Sequence, residues 1–183
     1  MHRPTLETPR LTLRPMIVGD APELHRLVND VEIARNTAMI PHPYPEGLAE
    51  EWIAAHQERF EKNIEIVFGI ERREDRALVG VIGVLPEPHD MAEFGYWIGQ
   101  EYWNNGYATE AAAAVIEYAF RTLGVNRVEA IHFTRNPASG RVMEKCGMRY
   151  EGTLRQARKK WDEYLDVKVY SIIRSDWESQ RAT

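Results

Sequence analysis

A chain of 183 residues, of which 44% are hydrophobic and 28% charged, can bury one sizeable core, so we expect a single globular domain over residues 1–183. Its net charge of −5 argues against a nucleic-acid binder, and no apolar run reaches the roughly 20 residues that a membrane-spanning helix requires. The single cysteine, Cys146, excludes an internal disulfide and a thiolate zinc cluster, and the scattered histidines predict no metal site.

The N-terminal segment predicts a strand followed by a helix. The first seven residues contain a proline and an acidic side chain before any apolar run, which is unlike a signal peptide and favours a cytoplasmic protein. Residues 11–14 alternate like a short strand. Asp20 with Glu23 has the pattern of a capping box that opens a helix over residues 21–29.

A second helix and three strands are predicted next. After a proline-rich connection, apolar positions recur at helical spacing over residues 48–60: Leu48, Trp52, Ile53, His56 and Phe60. Residues 64–71, 77–85 and 91–98 are rich in β-branched and aromatic side chains and are separated by polar or proline-containing turns. They predict three consecutive antiparallel strands.

The second half of the chain alternates helices and strands. Residues 108–123 are alanine-rich with one apolar face, and Gly124 ends the predicted helix. A strand is predicted over 127–134, followed by a helix that begins at Pro137 and ends at Gly147. Two more strands are predicted around residues 149–158 and 166–173. The result is a mixed sheet with helices.

The order of strand, loop and helix over residues 93–112 predicts an anion site. The first N–H groups of a helix have no intrahelical partners, and the macrodipole favours a negative charge there. Gly106 allows close approach of a pyrophosphate, and Ala108 keeps the next turn free of bulk. The alternative is that Asn104-Asn105-Gly106 is an ordinary turn. Other signatures are absent from the sequence: it has no Rossmann, P-loop, zincin or serine-hydrolase motif.

Several segments resemble the motifs of the GNAT acetyltransferases. Residues 93–99 (EFGYWIG) and 102–111 (YWNNGYATEA) resemble the central motif, and residues 136–148 (NPASGRVMEKCGM) resemble the motif that follows it. The form of the second motif, together with TPRLTLR at residues 8–14 and the segment 166–172, resembles the RimJ/RimL-like branch of protein N-acetyltransferases. The resemblance implies an α/β (α+β) fold with a mixed, mostly antiparallel sheet of about seven strands flanked by about four helices.

The resemblance also implies a set of cofactor-binding residues. In this superfamily a Gln/Arg-x-x-Gly-x-Gly/Ala loop binds the pyrophosphate of acetyl-CoA through backbone N–H groups, and that register falls on residues 103–108. Trp103 departs from the Gln/Arg position, which removes one side-chain contact. Asn136 fits equally well as the N-cap of the helix that Pro137 begins. The residues implied for cofactor binding are Trp97, Ile98, Asn104, Asn105, Gly106, Tyr107, Ala108, Thr109, Asn136 and Ser139.

Glu93 and Ser139 are the implied catalytic residues. A lysine-like amine has a pKa of about 10.4 and attacks only when neutral, so a group must accept its proton. The resemblance implies Glu93 as this base, although strand alternation could instead put it on a solvated face. Met143 stands where many GNAT enzymes carry a tyrosine acid, which leaves Ser139 and Tyr150 as weaker substitutes. Cys146 is expected to be a buried helix residue without a nucleophilic role.

The implied activity is acetyl-CoA-dependent transfer to a primary amine, by direct attack in a ternary complex. The favoured acceptor is a protein or peptide N-terminal α-amine. Residues 36–44 and 158–165 are expected to flank the acceptor. Three alternatives are a small-amine or antibiotic acetyltransferase, a non-catalytic acyl-CoA-binding sensor and a simple interaction domain. The sequence leaves the oligomeric state open, with a homodimer among the options.

Overall fold

Eight strands of the chain form one mixed sheet in a computed structural model that describes residues 2–181. The strands are β1 (Leu6–Glu7), β2 (Leu11–Arg14), β3 (Ile66–Arg72), β4 (Leu78–Glu87), β5 (Met91–Ile98), β6 (Arg127–Phe133), β7 (Arg149–Lys160) and β8 (Glu163–Ile173). They lie in the order β1-β2-β3-β4-β5-β6-β8-β7. Neighbouring strands are antiparallel except β5 and β6, which are parallel.

The predicted fold class is confirmed. The three strands predicted to be antiparallel neighbours are β3, β4 and β5. The sheet has eight strands where about seven were predicted. The additional one is β1, whose two residues pair with β2 through Leu6 and Leu13. A two-residue strand is too short to show an alternating pattern, which explains why the sequence did not predict it.

Helices cover both faces of the sheet. They are α1 (Ala21–Val28), α2 (Val31–Asn36), α3 (Leu48–Ala54), α4 (His56–Glu61), α5 (Tyr107–Tyr118), α6 (Pro137–Lys145) and α7 (Arg174–Arg181). On one face α5 buries Val115 and Ile116 in a cluster with Phe94 of β5. On the other face α1 and α3 pack Leu24 and Ile53 over Val81 of β4. The alternating side chains of β5 therefore face two different helical layers.

Two predictions about helices need correction. The capping box is wrong: Asp20 makes no side-chain cap to α1, because its carboxylate accepts two hydrogen bonds from Arg14, both at 2.8 Å. The helix predicted over residues 48–60 forms as α3 and α4, which meet at Ala55, where the backbone dihedral angles stay helical. By contrast, the predicted helix over 108–123 forms as α5 and a π-helical turn, and it ends at Gly124 with φ of +74°.

The helices of residues 2–181 are too short or too polar to cross a bilayer.

Candidate active site

A gap opens in the sheet between β5 and β6. These strands pair only through residues 91–93 of β5 and 127–129 of β6. Beyond Glu93 and Glu129, β5 continues to Ile98 and β6 to Phe133, and the described chain shows no pairing between these halves. Their facing backbone N–H and C=O groups lack a strand partner, although the carbonyl oxygens of Ile98 and Phe133 accept other hydrogen bonds, from Trp103 and Asn136. We call this gap the wedge, and Glu93 and Glu129 lie at its apex.

Trp97 and Ile98 lie on the β5 side of the wedge. The side chain of Ile98 is buried in the cluster under α5, and Trp97 packs against the cluster on the opposite face. The carbonyl oxygen of Ile98 accepts a hydrogen bond of 2.6 Å from the indole N–H of Trp103. The backbone of Trp97 faces its partner Val81 on β4, so at these two residues the backbone N–H of Ile98 is the group that strand alternation turns toward the wedge.

The loop before α5 exposes its backbone. Residues 103–106 are all exposed, and Asn104 and Gly106 adopt positive φ angles of +63° and +80°. Gly106 is the N-cap of α5 and has no side chain that could accept a hydrogen bond. The first N–H groups of the helix therefore receive no side-chain cap from Gly106. Tyr107, Ala108 and Thr109 form that first turn. Free donors and the positive end of the macrodipole favour a phosphate at this position.

Arg10 holds this loop from a distant part of the chain. Its Nη1 donates to the carbonyl oxygen of Asn105 at 2.9 Å, and its Nε donates to Glu110 at 2.7 Å. The guanidinium also lies 5.1 Å from the centre of the Tyr107 ring. Arg10 belongs to the TPRLTLR segment that resembles the family, but its contact with the loop could not be predicted because the two residues are 95 positions apart. A basic side chain therefore reaches the loop although Trp103 replaces the usual Gln/Arg.

The second side of the wedge continues from β6 into α6. Asn136 is the N-cap of α6, and its side-chain oxygen accepts a hydrogen bond of 3.4 Å from the N–H of Ser139. The hydroxyl of Ser139 lies 2.9 Å from the hydroxyl of Tyr96 on β5. Met143 is only 1% exposed and contributes to the core. Tyr96 is a second residue that sequence reasoning missed, although it lies inside the EFGYWIG segment.

Glu93 points to the face of the sheet opposite α5, because its neighbours Ala92 and Phe94 are buried under α5. It is half-buried, and burial raises the pKa of its carboxyl group above the ordinary value. Arg158 opposes this rise, whereas the negative charges of Glu129 and Glu87 add to it. A carboxylate with a raised pKa is a better proton acceptor than an exposed one.

A pocket of about 400 Å³ adjoins the apex of the wedge. Its lining includes the carboxylates of Glu87, Glu93 and Glu129, together with Met91 and Ala92 of β5. Glu129 is ion-paired with Arg127 at 2.6 Å, and Arg127 also contacts Glu151 at 2.6 Å. The pocket therefore carries an excess of negative charge, which attracts a cationic amine.

The two segments expected to flank the acceptor touch one another. The ammonium of Lys160, at the tip of the β7–β8 hairpin, donates to the carbonyl oxygen of Ile40. Arg135, which follows β6, donates to the carbonyl oxygen of Arg35 and forms an ion pair of 2.9 Å with Glu163. The loop after α2 and the hairpin tip are thus joined beyond the open end of β6.

Tyr150 and Cys146 have local partners. The hydroxyl of Tyr150 lies 2.8 Å from that of Thr153 on the exposed strand β7. Burial raises the pKa of the Cys146 thiol to about 11, and its sulfur lies 3.6 Å from the carbonyl oxygen of Thr109. A thiol that stays protonated is a poor nucleophile. Cys146 is partly buried and is the C-cap of α6, whereas a buried helix residue was predicted. Among residues 2–181 no group of three or more His, Cys, Asp or Glu side chains could hold a metal ion.

Comparison with known proteins identifies the family. Residues 10–149 match the family model of the acetyltransferase (GNAT) domain. The chain is 36% identical over 178 residues to the uncharacterized N-acetyltransferase YoaA of Bacillus subtilis, covering 93% of this chain and 97% of that one. Spermidine N-acetyltransferase from Vibrio cholerae, solved with CoA and spermine, is 25% identical with a TM-score of 0.79 and covers 93% of this chain and 99% of its own.

The fold is also that of RimL, a ribosomal-protein α-N-acetyltransferase solved with coenzyme A. The TM-score is 0.84 at 20% identity, covering 93% of this chain and 98% of the other. The family match spans most of the chain and includes both the loop before α5 and the α6 segment. The chain therefore belongs to the GNAT acetyltransferase family and is an acetyl-transferring enzyme that uses acetyl-CoA.

Proposed function

We propose that the enzyme acetylates a protein or peptide N-terminal α-amine, as expected for the RimJ/RimL-like branch. Transfer to an amine rests on the apex of the wedge, and the choice of a peptide acceptor rests on the joined segments near Ile40 and Lys160. At the apex, Glu93 lies beside an acidic pocket on one face of the sheet, while the loop before α5 lies at the other end of the free half of β5. One ligand can therefore run along the wedge while an amine approaches from the pocket.

The cofactor would bind along the wedge through its backbone-rich segments. Its pyrophosphate would lie on the N–H groups of residues 104–109, at the positive end of α5. Its pantetheine arm would run along the free half of β5 past Trp97 and Ile98 and would contact the side chain of Asn136. The thioester would then lie near Ser139, between the cofactor loop and the apex.

Glu93 would act as the general base. The acceptor arrives as an ammonium, loses a proton to the Glu93 carboxylate, and its nitrogen attacks the thioester carbonyl carbon. The carbon–sulfur bond breaks, its electron pair leaves on the thiolate, and the nitrogen gives its second proton to water as the amide forms. An N-terminal α-amine has a pKa of about 7.7–8.0, so its proton is removed at small cost near neutral pH. Alignment of the two reactants supplies most of the acceleration.

A small polycationic amine is the second candidate acceptor. The three carboxylates of Glu87, Glu93 and Glu129 around one pocket favour it, because they attract more than one positive charge. A peptide acceptor would instead gain from contacts with the joined segments near Ile40 and Lys160. A non-catalytic acyl-CoA sensor, considered above, is not retained, since the family and its relatives are acetyl-transferring enzymes.

The first test is ligand-dependent stability. Acetyl-CoA at 100 times its dissociation constant should raise the free energy of unfolding by about 2.7 kcal/mol, with ATP as the control nucleotide. An equal shift with ATP, or none with acetyl-CoA, would contradict binding through the wedge. Thiol release is then measured with a panel of N-terminal peptides, lysine peptides and polyamines. If kcat/KM were higher for polyamines than for every peptide, a small polycationic amine would be the acceptor and the peptide proposal would be wrong.

The second test is the substitution Glu93→Gln. Removal of the base should lower kcat near neutral pH by about 100-fold or more, without changing the affinity for acetyl-CoA. Glu87→Gln is the matched control, because Glu87 lines the same pocket and lies in the exposed hairpin outside the wedge. Its kcat should change by less than about threefold. Equal losses in the two variants would remove Glu93 from the mechanism.

A further inference from the structure

Tyr96 and Ser139 form a bond between two elements of the wedge. Tyr96 lies on the half of β5 that is free of β6, and its hydroxyl is 2.9 Å from Ser139 Oγ in the first turn of α6. Both side chains are partly buried, and the hydroxyl pair joins the free half of β5 to the first turn of α6. The pair is also firmly held. Asn136 caps the N–H of Ser139, and the Tyr96 ring stacks on Phe94 with an interplanar angle of 20°.

The reaction needs a donor near these hydroxyls. Cleavage of the thioester leaves negative charge on sulfur, and a donor placed before the reaction stabilises that charge. Met143 occupies the position of the family tyrosine and has no donor hydrogen. The nearby thiol of Cys146 lies against the carbonyl oxygen of Thr109. The hydroxyl pair is therefore the group of donors that the free part of β5 and the first turn of α6 bring together.

We propose that Tyr96 is a positioning residue: its phenolic hydroxyl donates to Ser139 Oγ and so directs the hydroxyl hydrogen of Ser139 toward the departing sulfur of acetyl-CoA. This inference rests on the proposed function, because it takes the thioester to lie near Ser139. A phenol is the stronger donor of the two hydroxyls, which favours donation from Tyr96 to Ser139.

The hydroxyl pair donates hydrogen bonds and gives up no proton. Burial raises the pKa of Tyr96 to about 12, far above the value near 8.5 of an ordinary thiol. The carbon–sulfur electron pair therefore ends on a thiolate that Ser139 stabilises, and the thiolate takes its proton from water after release. The first proton of the acceptor ammonium goes to Glu93 and the second to water, so the hydroxyls return unchanged for the next cycle.

The test is a double-mutant cycle on steady-state acetylation. Ser139→Ala should lower kcat by about 10-fold or more, the range for a hydrogen bond to a charged group. Tyr96→Phe removes one oxygen atom and should lower kcat about fivefold, with KM for acetyl-CoA and the thermal midpoint unchanged. In the Ser139→Ala background, Tyr96→Phe should have no further effect on kcat, because its target is gone.

Tyr118→Phe is the control. It removes a tyrosine hydroxyl at the end of α5, where the Tyr118 ring lies 6.0 Å from that of Phe68 on β3, and it should leave kcat unchanged. Wild-type kcat in Tyr96→Phe would overturn the inference, as would losses that multiply in the double variant. If Tyr96→Phe lowered both kcat and the thermal midpoint, the loss of activity would follow from lost packing, and Tyr96 would have a structural role instead. Wild-type enzyme that binds acetyl-CoA but acetylates no amine would overturn the proposed function itself.

Discussion

His56 should make the folded protein sensitive to mild acid. Its ring is only 2% exposed, and within residues 2–181 neither ring nitrogen has a hydrogen-bond partner. Burial, together with the positive charges of Arg3 and Arg59, lowers its pKa to about 4. An unfolded chain holds a histidine near pKa 6.5. Between these two values the unfolded state binds a proton that the folded state does not.

The direction and size of the effect follow from this difference. The stabilising contribution is complete above pH 6.5 and is lost as the pH falls toward 4, at about 1.4 kcal/mol per pH unit. A change from pH 7.5 to pH 5 should therefore cost about 2 kcal/mol of unfolding free energy through His56 alone.

Urea unfolding of wild type and His56→Phe at pH 7.5 and pH 5 isolates this contribution. Phenylalanine keeps a ring at the edge of Trp52, where the two ring centres are 4.3 Å apart. Other groups titrate in both proteins, so they cancel in the difference. Wild type should lose about 2 kcal/mol more than the variant between the two pH values. Equal losses would refute the reasoning, since they would mean that His56 accepts its proton in the folded state.

Three further predictions concern the wedge. Glu129→Gln should move the acidic limb of the pH–kcat/KM profile to lower pH, because the charge of Glu129 raises the pKa of Glu93; a limb that does not move would argue that another group titrates. Gly106→Trp should abolish acetyl-CoA binding in calorimetry by covering the loop, whereas Gly124→Trp, with a similar φ of +74° and open space around it, should bind normally. Arg10→Gln should weaken acetyl-CoA binding several-fold because the carbonyl of Asn105 loses its donor. Arg73→Gln, which loses a bond to Thr8 outside the loop, is its control and should bind as wild type does.

Local sequence patterns predicted most of the elements but few of their contacts. The alanine-rich segment forms α5 because alanine loses no side-chain entropy in a helix, and β6 and α6 lie close to their predicted bounds. By contrast, α7 has a polar sequence and is held by tertiary contacts: Trp177 stacks on Phe120 at 5.0 Å, and Arg174 donates to the carbonyl oxygens of Phe120 and Val125. A helix held by such contacts carries little periodic signal.

The site was predictable in its loop and less so in its surroundings. Positive φ at Gly106 and an uncapped helix N-terminus follow from local sequence. The contact of Arg10 with this loop, and that of Tyr96 with Ser139, join segments 95 and 43 residues apart. The wedge itself depends on where pairing between β5 and β6 stops. Such features depend on the assembled sheet, and no local pattern records them.

The hydrogen bonds of Lys160 and Arg135 hold the segment near residues 35–40 in a way that does not depend on its side chains. Both side chains donate to main-chain carbonyl oxygens, at Ile40 and Arg35. Every residue type provides that oxygen, so substitutions at positions 35 and 40 keep the tie as long as the backbone holds its path. Substitutions at these two positions can therefore change the surface beside the open end of β6 while the two segments stay joined.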